Sequence, residues 1–382
     1  LYEKAAKQGL PKAQTNLGVM YHNGEGVEQD SVKAVEWCAK GAEQNEPFSQ
    51  LVFGLMYSEG DGVEQDYIEA LKWYQKAAEQ DEAGAQLNLG GMYQDGLGVE
   101  QDDKEAVKWY RKAAEQGLPE AQRCIGWMYY NGEGVEQDYI EALKWYRKAA
   151  EQGDANAQYN LGGMYINGQG VEQDDKEAVK WFRKSAEQGN AEAQYALGGM
   201  YGIGLGVEED DEEAVKWYQK AAEQGDAEAQ LYLGRRYLNG EGVQQDDKEA
   251  VKWYRKSAEQ GNAEAQFNLG WMYENGEGVE QDYIEALKWY QKAAEQDEAG
   301  AQLNLGGMYQ DGLGVEQDDK EAVKWYRKAA EQGLPEAQRC IGWMYQDGLG
   351  VEKDDKEAVK WFRKAAEQGY EPAKAALKEL SP

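Results

Sequence analysis

Cysteine, histidine, positive charge and long apolar runs are all scarce in this chain of 382 residues. The three cysteines are Cys38, Cys124 and Cys340. An odd number gives no complete disulfide framework. Cys124 and Cys340 share one register of a repeat, six units apart, which is too far to bridge. Buried, reduced thiols are expected, and they fit a reducing compartment. The one histidine, His22, stands where other repeats carry residues such as Gln, Tyr or Leu. There is no serine nucleophile motif and no His-Glu-x-x-His pair, so the convergent titratable groups that catalysis needs are missing. The expectation is a protein that is not an enzyme, with no cofactor and no metal. No run of 18 apolar residues exists, so no segment is expected to insert in a membrane. No signal peptide is visible, and the chain opens at Leu1, inside a repeat and without Met. Against 72 acidic residues there are 41 basic ones, a net charge of −31. Such a field repels polyanions, so nucleic acid is not an expected partner. A neutral or basic protein or peptide is.

What the chain does have is aromatic material in strict period. Hydrophobic residues make up 41%, with 13 Trp and 26 Tyr, enough to bury despite the polar average. Trp recurs at 37, 73, 109 and onward to 361, always 36 residues apart. A glycine tracks it from Gly18 to Gly342, and a tyrosine follows each glycine by three, from Tyr21 to Tyr345. Such a period marks stacked supersecondary units.

The unit opening at Gly98 shows the logic. Asp102 can cap a helix, and Glu105 three residues later suits a capping box. Ala106, Trp109, Tyr110, Ala113 and Ala114 then form one apolar stripe, with Lys104, Lys108, Arg111, Lys112 and Glu115 opposite. We term this helix B. Gly117 stops it. A second helix, helix A, starts at Pro119, and in other copies after Asp154, Asn190 or Asp226, which are good caps. Ala121, Ile125, Gly126 and Tyr129 share a face of it. Gly126, in mid-helix, costs about 1 kcal/mol relative to Ala, so its recurrence implies close approach by a neighbouring helix. Neither helix buries its stripe alone; stacked neighbours bury both.

Ala157, Leu161, Gly162, Tyr165, Gly168, Gly170, Val171, Asp174, Ala178, Trp181, Ala186 and Gly189 resemble, in order, the pattern of the Sel-1-like repeat family, relatives of the tetratricopeptide repeats. The resemblance covers essentially the whole chain. It implies an all-α, right-handed α-α superhelical solenoid, helix A lining the concave side, and an adaptor or scaffold role. The expected organisation is a single solenoid over 1–382: a partial repeat at 1–9, ten repeats over 10–369, and a C-terminal capping helix at 370–382. A soluble bacterial protein is expected, with compartment and oligomeric state open. Unlike relatives with a Cys pair in each repeat, this chain has none. Phe53 and Arg236 replace the usual Leu and Met. Asn45, Asp81 and Asp297 replace the glycine after helix B. Lys374 and Lys378 stand where Gln and Gly stand elsewhere.

Residues 62–129 and 278–345 are identical, so one surface is offered twice. The Gly-x-Gly-Val loops lack the preceding strand of a phosphate-binding fold. The acidic loops lack the alternating ligands of a calcium loop; a solvated ridge is the expectation.

The site is sought among helix A positions that vary between repeats. A core position does not swing from Gly to Arg to Trp, because packing resists such volume changes. Two before the tyrosine stand Trp127, Arg235, Trp271 and Trp343, with Gly in other copies. Six before it stand Arg123, Tyr159, Tyr195, Phe267 and Arg339, and one after it stands Tyr130. Trp, Tyr and Arg dominate interface hot spots. These ten residues are expected to line a groove that holds a protein or peptide. The alternative is a sequestering, immunity-type inhibitor of a basic enzyme.

Overall fold

The computed structural model describes residues 2–380. Among the described residues there are 22 α-helices and no strand. After a first helix at Tyr2–Lys7, helix A and helix B alternate without exception. Helix A runs from Pro11–Asn23 in the first complete unit to Pro335–Asp347 in the last, and the chain closes on Glu371–Leu380. Two compact units result, one ending at Asn190 and the other beginning at Ala191. Within each, a helix packs against those before and after it.

Local chemistry fixes the helix ends. Asp102 Oδ1 accepts from the backbone N–H groups of Lys104 and Glu105 at 3.0 and 3.1 Å, starting helix B at Asp103. The expected capping box does not form. Glu105 turns to Lys108 Nζ at 3.0 Å, and the Asp102 N–H that it would have accepted donates to Tyr93 O at 2.9 Å. That bond ties each helix B start to the preceding helix A tyrosine, as in Asp138 N to Tyr129 O. Helix A is capped by Asp154 and Asp226, each accepting from the N–H three residues on at 2.7 Å. Asn45, Asp81 and Asp297 adopt φ of 61°, 64° and 63°, the left-handed turn that Gly117 makes at 96°. Asn and Asp are the side chains that best tolerate it.

In every unit but the first, the recurring mid-helix glycine is covered by an aromatic ring of the following helix B, which is how the neighbouring helix makes its close approach. A Cβ on Gly126 would lie 2.8 Å from Tyr146 Cδ1, and on Gly270 it would lie 2.7 Å from Tyr290 Cδ1. The ring takes the place of the missing side chain, which restores the apolar burial that glycine lacks. In the loops after the first, the second glycine has a different duty. A Cβ on Gly134 would lie 2.2 Å from Asp103 O, so the loop sits directly on the start of the preceding helix B. That contact accounts for the Gly-x-Gly-Val spacing.

Two further features are periodic. From Lys40 over Trp37 at 4.4 Å to Lys364 over Trp361 at 4.0 Å, each helix B tryptophan carries the ammonium of the lysine three residues later. A buried glutamine recurs in every complete helix A, from Gln14 to Gln338. Gln158 donates to Ala150 O at 3.0 Å and accepts from Gln188 Nε2 at 2.7 Å. The same bridge joins Gln86 to Gln116 and Gln230 to Gln260, both at 2.8 Å. Buried amides are stable only when bonded in this way.

Candidate functional site

Variable helix A positions become a surface because the invariant ones are used up inward. Ala157, Leu161 and Met164 of helix Ala155–Asn167 are buried, as are Ala121, Ile125 and Met128 of Pro119–Asn131. Between them, Tyr159, Asn160 and Gly163 are only half-buried, whereas Gln158 and Gly162 stay inside. Where these two A helices adjoin, a surface cleft of about 310 Å³ opens. Trp127, Tyr130 and Asn131 line it from one helix, and Tyr159, Asn160, Gly163 and Asn167 from the other. The buried rings of Tyr146 and Phe182 also line it. Trp127 is 38% exposed, unusually open for its size. Gly163 keeps the space free: a Cβ there would meet no atom within 4 Å.

The cleft brings together three of the ten expected residues, Trp127, Tyr130 and Tyr159. Tyr130 is braced, with Oη donating to Gln169 Oε1 at 2.9 Å and its ring edge-on to Tyr139 at 5.2 Å. Tyr159 lies tilted against Phe182 at 5.6 Å. No charged side chain lines the cleft. Its polar groups are the amides of Asn131, Asn160 and Asn167, of which Asn131 Nδ2 donates to Trp127 O at 3.2 Å. Asparagine offers both donors and an acceptor, the complement of an extended peptide backbone. Burial pushes the Tyr146 phenol well above its ordinary pKa, so it stays neutral.

The other expected residues are differently placed. Tyr195 is tilted against Tyr218 and Tyr232 at 5.9 and 5.7 Å, and Phe267 against Tyr290 at 5.9 Å. These rings pack across neighbouring helices. Trp271 is half-buried against the core that includes Leu269 and Met272. Trp343 is 41% exposed, but Arg339 lies over its face at 4.0 Å. Arg123 Nε meets Asp154 Oδ2 at 3.4 Å, and Arg235 pairs with Glu264 while stacking over Tyr232 at 5.1 Å. Arg123 and Arg235 are thus engaged within the protein.

The duplicated stretch does not present one surface twice. Arg123 and Arg339 have identical sequence before them, yet Arg123 finds Asp154 whereas Arg339 stacks on Trp343 and lies 5.9 Å from the Tyr370 ring. The following repeat decides. The cysteines are free, but only Cys38 is buried; Cys124 and Cys340 are half-exposed, on the same helix A register as Asn160. Sequence reasoning missed Asn160 and Asn167. Asn160 had a signal, since Asn recurs in its register at 16, 88, 268 and 304.

The Sel1 repeat model matches residues 1–10, 11–46, 48–82 and, without a break, from 83–118 to 335–370. The chain belongs to the Sel1-repeat family. Among solved structures it is similar to a protective antigen of uropathogenic Escherichia coli with an SLR fold. Identity is 43%, TM-score 0.88, and the match covers 99% of this chain and 81% of that one. It is also similar to a Sel1 repeat protein from Oxalobacter formigenes, at 36% identity and TM-score 0.63, over 81% of this chain and 91% of that one. No curated protein matches it. Sel1-repeat proteins are in general protein-interaction scaffolds, and among the described residues no helix of this one is long and apolar enough to cross a membrane.

Proposed function

We propose that this Sel1-repeat protein is a non-catalytic scaffold that holds a protein or peptide segment on its helix A face, with the cleft at Trp127 and Tyr159 as the principal seat. The observation that carries this reading is the cleft itself: an exposed Trp and two Tyr at registers that other repeats fill differently, with three Asn beside them. The stacking shared by all repeats does not use this set, and it has the composition of an interface anchor. Trp127 supplies apolar area, and burying its ring contributes on the order of 2 kcal/mol. The asparagines satisfy the partner's backbone.

Because no charge lines the cleft, its contacts are insensitive to salt. The chain's −31 charge steers a neutral or basic segment towards it and acts on the rate of encounter. The test is selection of random peptides on the full chain by display, followed by titration against variants. Trp127→Ala and Tyr159→Ala are expected to weaken a selected peptide by about tenfold or more each, with unchanged helicity and little difference between 50 and 500 mM salt. Trp271→Ala, which is no part of the cleft lining, is expected to leave affinity unchanged. Peptides that bind Trp127→Ala as well as wild type would sink the proposal. Binding that vanishes at high salt would move the site to the acidic loops.

A further inference from the structure

The first complete repeat lacks a ring that every other one has. Cys38 stands where helix B elsewhere carries Tyr74, Tyr110, Tyr146, Phe182, Tyr218, Tyr254, Tyr290, Tyr326 and Phe362. In those repeats the ring lies on the mid-helix glycine. Here the helices draw together in partial compensation. A Cβ on Gly18 would lie 2.8 Å from Ala34 O, whereas on Gly54 the equivalent Ala70 O is 3.4 Å away. The closure is incomplete. A pocket of about 210 Å³ remains beside Gly18 and Cys38, walled by Val19, Val52, Leu55 and Met56, with the Glu59 carboxylate also lining it. For scale, an apolar protein cavity of about 150 Å³ takes up benzene.

The pocket also keeps the polar partner of the missing ring. Tyr110 Oη donates to Gln94 Oε1 at 2.7 Å, Tyr290 Oη to Glu274 Oε2 at 2.6 Å, and Tyr326 Oη to Gln310 Oε1 at 2.7 Å. In the first repeat that register is His22, which lines the pocket. His22 Nδ1 lies 2.8 Å from Asp61 Oδ2, and Asp61 lines the pocket too. The contact is at ion-pair distance but out of line for a hydrogen bond, so the buried Nδ1 is left without a hydrogen-bond partner, and an unsatisfied buried polar atom favours a ligand that bonds it.

We propose that the pocket between Gly18, Cys38 and His22 binds a phenol ring, supplied from outside in place of the tyrosine this repeat lacks, with its hydroxyl bonded to the His22–Asp61 pair. The apolar walls take the ring, and the buried Cys38 closes the inner end. Burial pushes the Cys38 thiol up to about 12, so the cysteine is a wall and not a nucleophile. The site is remote from the cleft at Trp127 and does not depend on it. The phenol can be a free small molecule or the side chain of a tyrosine on another protein.

The probe is p-cresol, with toluene as the control lacking the hydroxyl, observed by saturation-transfer NMR on the full chain. Wild type is expected to bind p-cresol about fivefold more tightly than toluene, the worth of one hydrogen bond. Cys38→Tyr, which restores the internal ring, is expected to abolish binding of both. Val19→Trp covers the mouth with the residue that other repeats carry in that register, and should do the same if Cys38→Tyr fails to fold. His22→Leu is expected to keep toluene binding and lose the preference for p-cresol. Absence of p-cresol binding to wild type, equal binding by the filled variants, or no preference over toluene overturns the proposal. A peptide, acetyl-Gly-Tyr-Gly-amide, separates the sources. If it displaces p-cresol, the site takes a protein tyrosine; if p-cresol binds and the peptide does not, it takes free phenols.

Discussion

Gly162 and Gly163 are adjacent in one helix, and replacing each by alanine should move stability in opposite directions. Both lie inside Ala155–Asn167, so Ala gains about 1 kcal/mol of helix propensity at either. At Gly163 nothing opposes that gain, since a Cβ meets no atom within 4 Å. At Gly162 a Cβ would lie 2.8, 2.9 and 3.0 Å from Cδ1, Cε1 and Cγ of Phe182. That ring is only 5% exposed and is braced by Tyr159 at 5.6 Å, so it has little room to yield. Overpacking of this kind costs about 1 to 3 kcal/mol. The propensity term cancels between the two variants, so they should differ by that overpacking cost. A solenoid opens piecewise, so a global unfolding midpoint would dilute the effect. Native-state hydrogen exchange reads it locally. Amides of Ala155–Asn167 and Asp175–Glu187 should exchange about 5- to 140-fold faster in Gly162→Ala than in Gly163→Ala. Equal exchange would refute the claim that a ring replaces the missing side chain.

Gln158→Leu removes both bonds of the bridge, leaving Ala150 O with the Gly153 N–H at 3.1 Å and Gln188 Nε2 with Lys184 O at 3.5 Å, at a cost of about 1 to 3 kcal/mol; hydrogen exchange at the end of Asp175–Glu187 should accelerate, and unchanged protection would mean that the bridge is idle. With its thiol raised to about 12, Cys38 is about one part in 10,000 thiolate at pH 8. It should resist iodoacetamide in the native chain and react only on unfolding, as mass spectrometry can show. Burial raises the phenols of Tyr74 and Tyr218 to about 12, so the folded state disfavours their ionisation. Stability should therefore be flat in this respect below pH 10. Between pH 10 and 12 the unfolded chain ionises first and stability falls, by about 1.4 kcal/mol per pH unit for each such tyrosine. Circular dichroism against pH checks it, and a fold equally stable at pH 11.5 would contradict the burial.

Much of the fold was legible because it is made by local chemistry. The capping Asp174 and the stop at Gly189 act within a turn or two of the chain, the helix begins and ends where these residues say, and the 36-residue spacing of Trp repeats the unit. The family followed from the same residues. Less legible were groups whose partners lie far along the chain. Gln158 reads as a solvated residue in a polar sequence, although its recurrence in every complete helix A was a signal, because the amide it meets is 30 residues away. Glu105 fits a capping box until Tyr93 takes the N–H it would have accepted.

For the site, the sequence by itself determined which registers are free to vary, because invariance marks the buried stripe. It could not determine what each free residue does. Trp127 and Trp271 share a register, yet one stands exposed and the other is half-buried against its neighbours. Arg123 and Arg339 follow identical stretches and take different partners. Cys38 is one small residue in the sequence, and only tertiary packing turns it into a pocket, because the helices close part of the gap and not all of it. Helix formation is settled among residues three and four apart. The environment of a side chain on a stacked face is settled by the adjoining repeats, which the residue's own sequence does not contain.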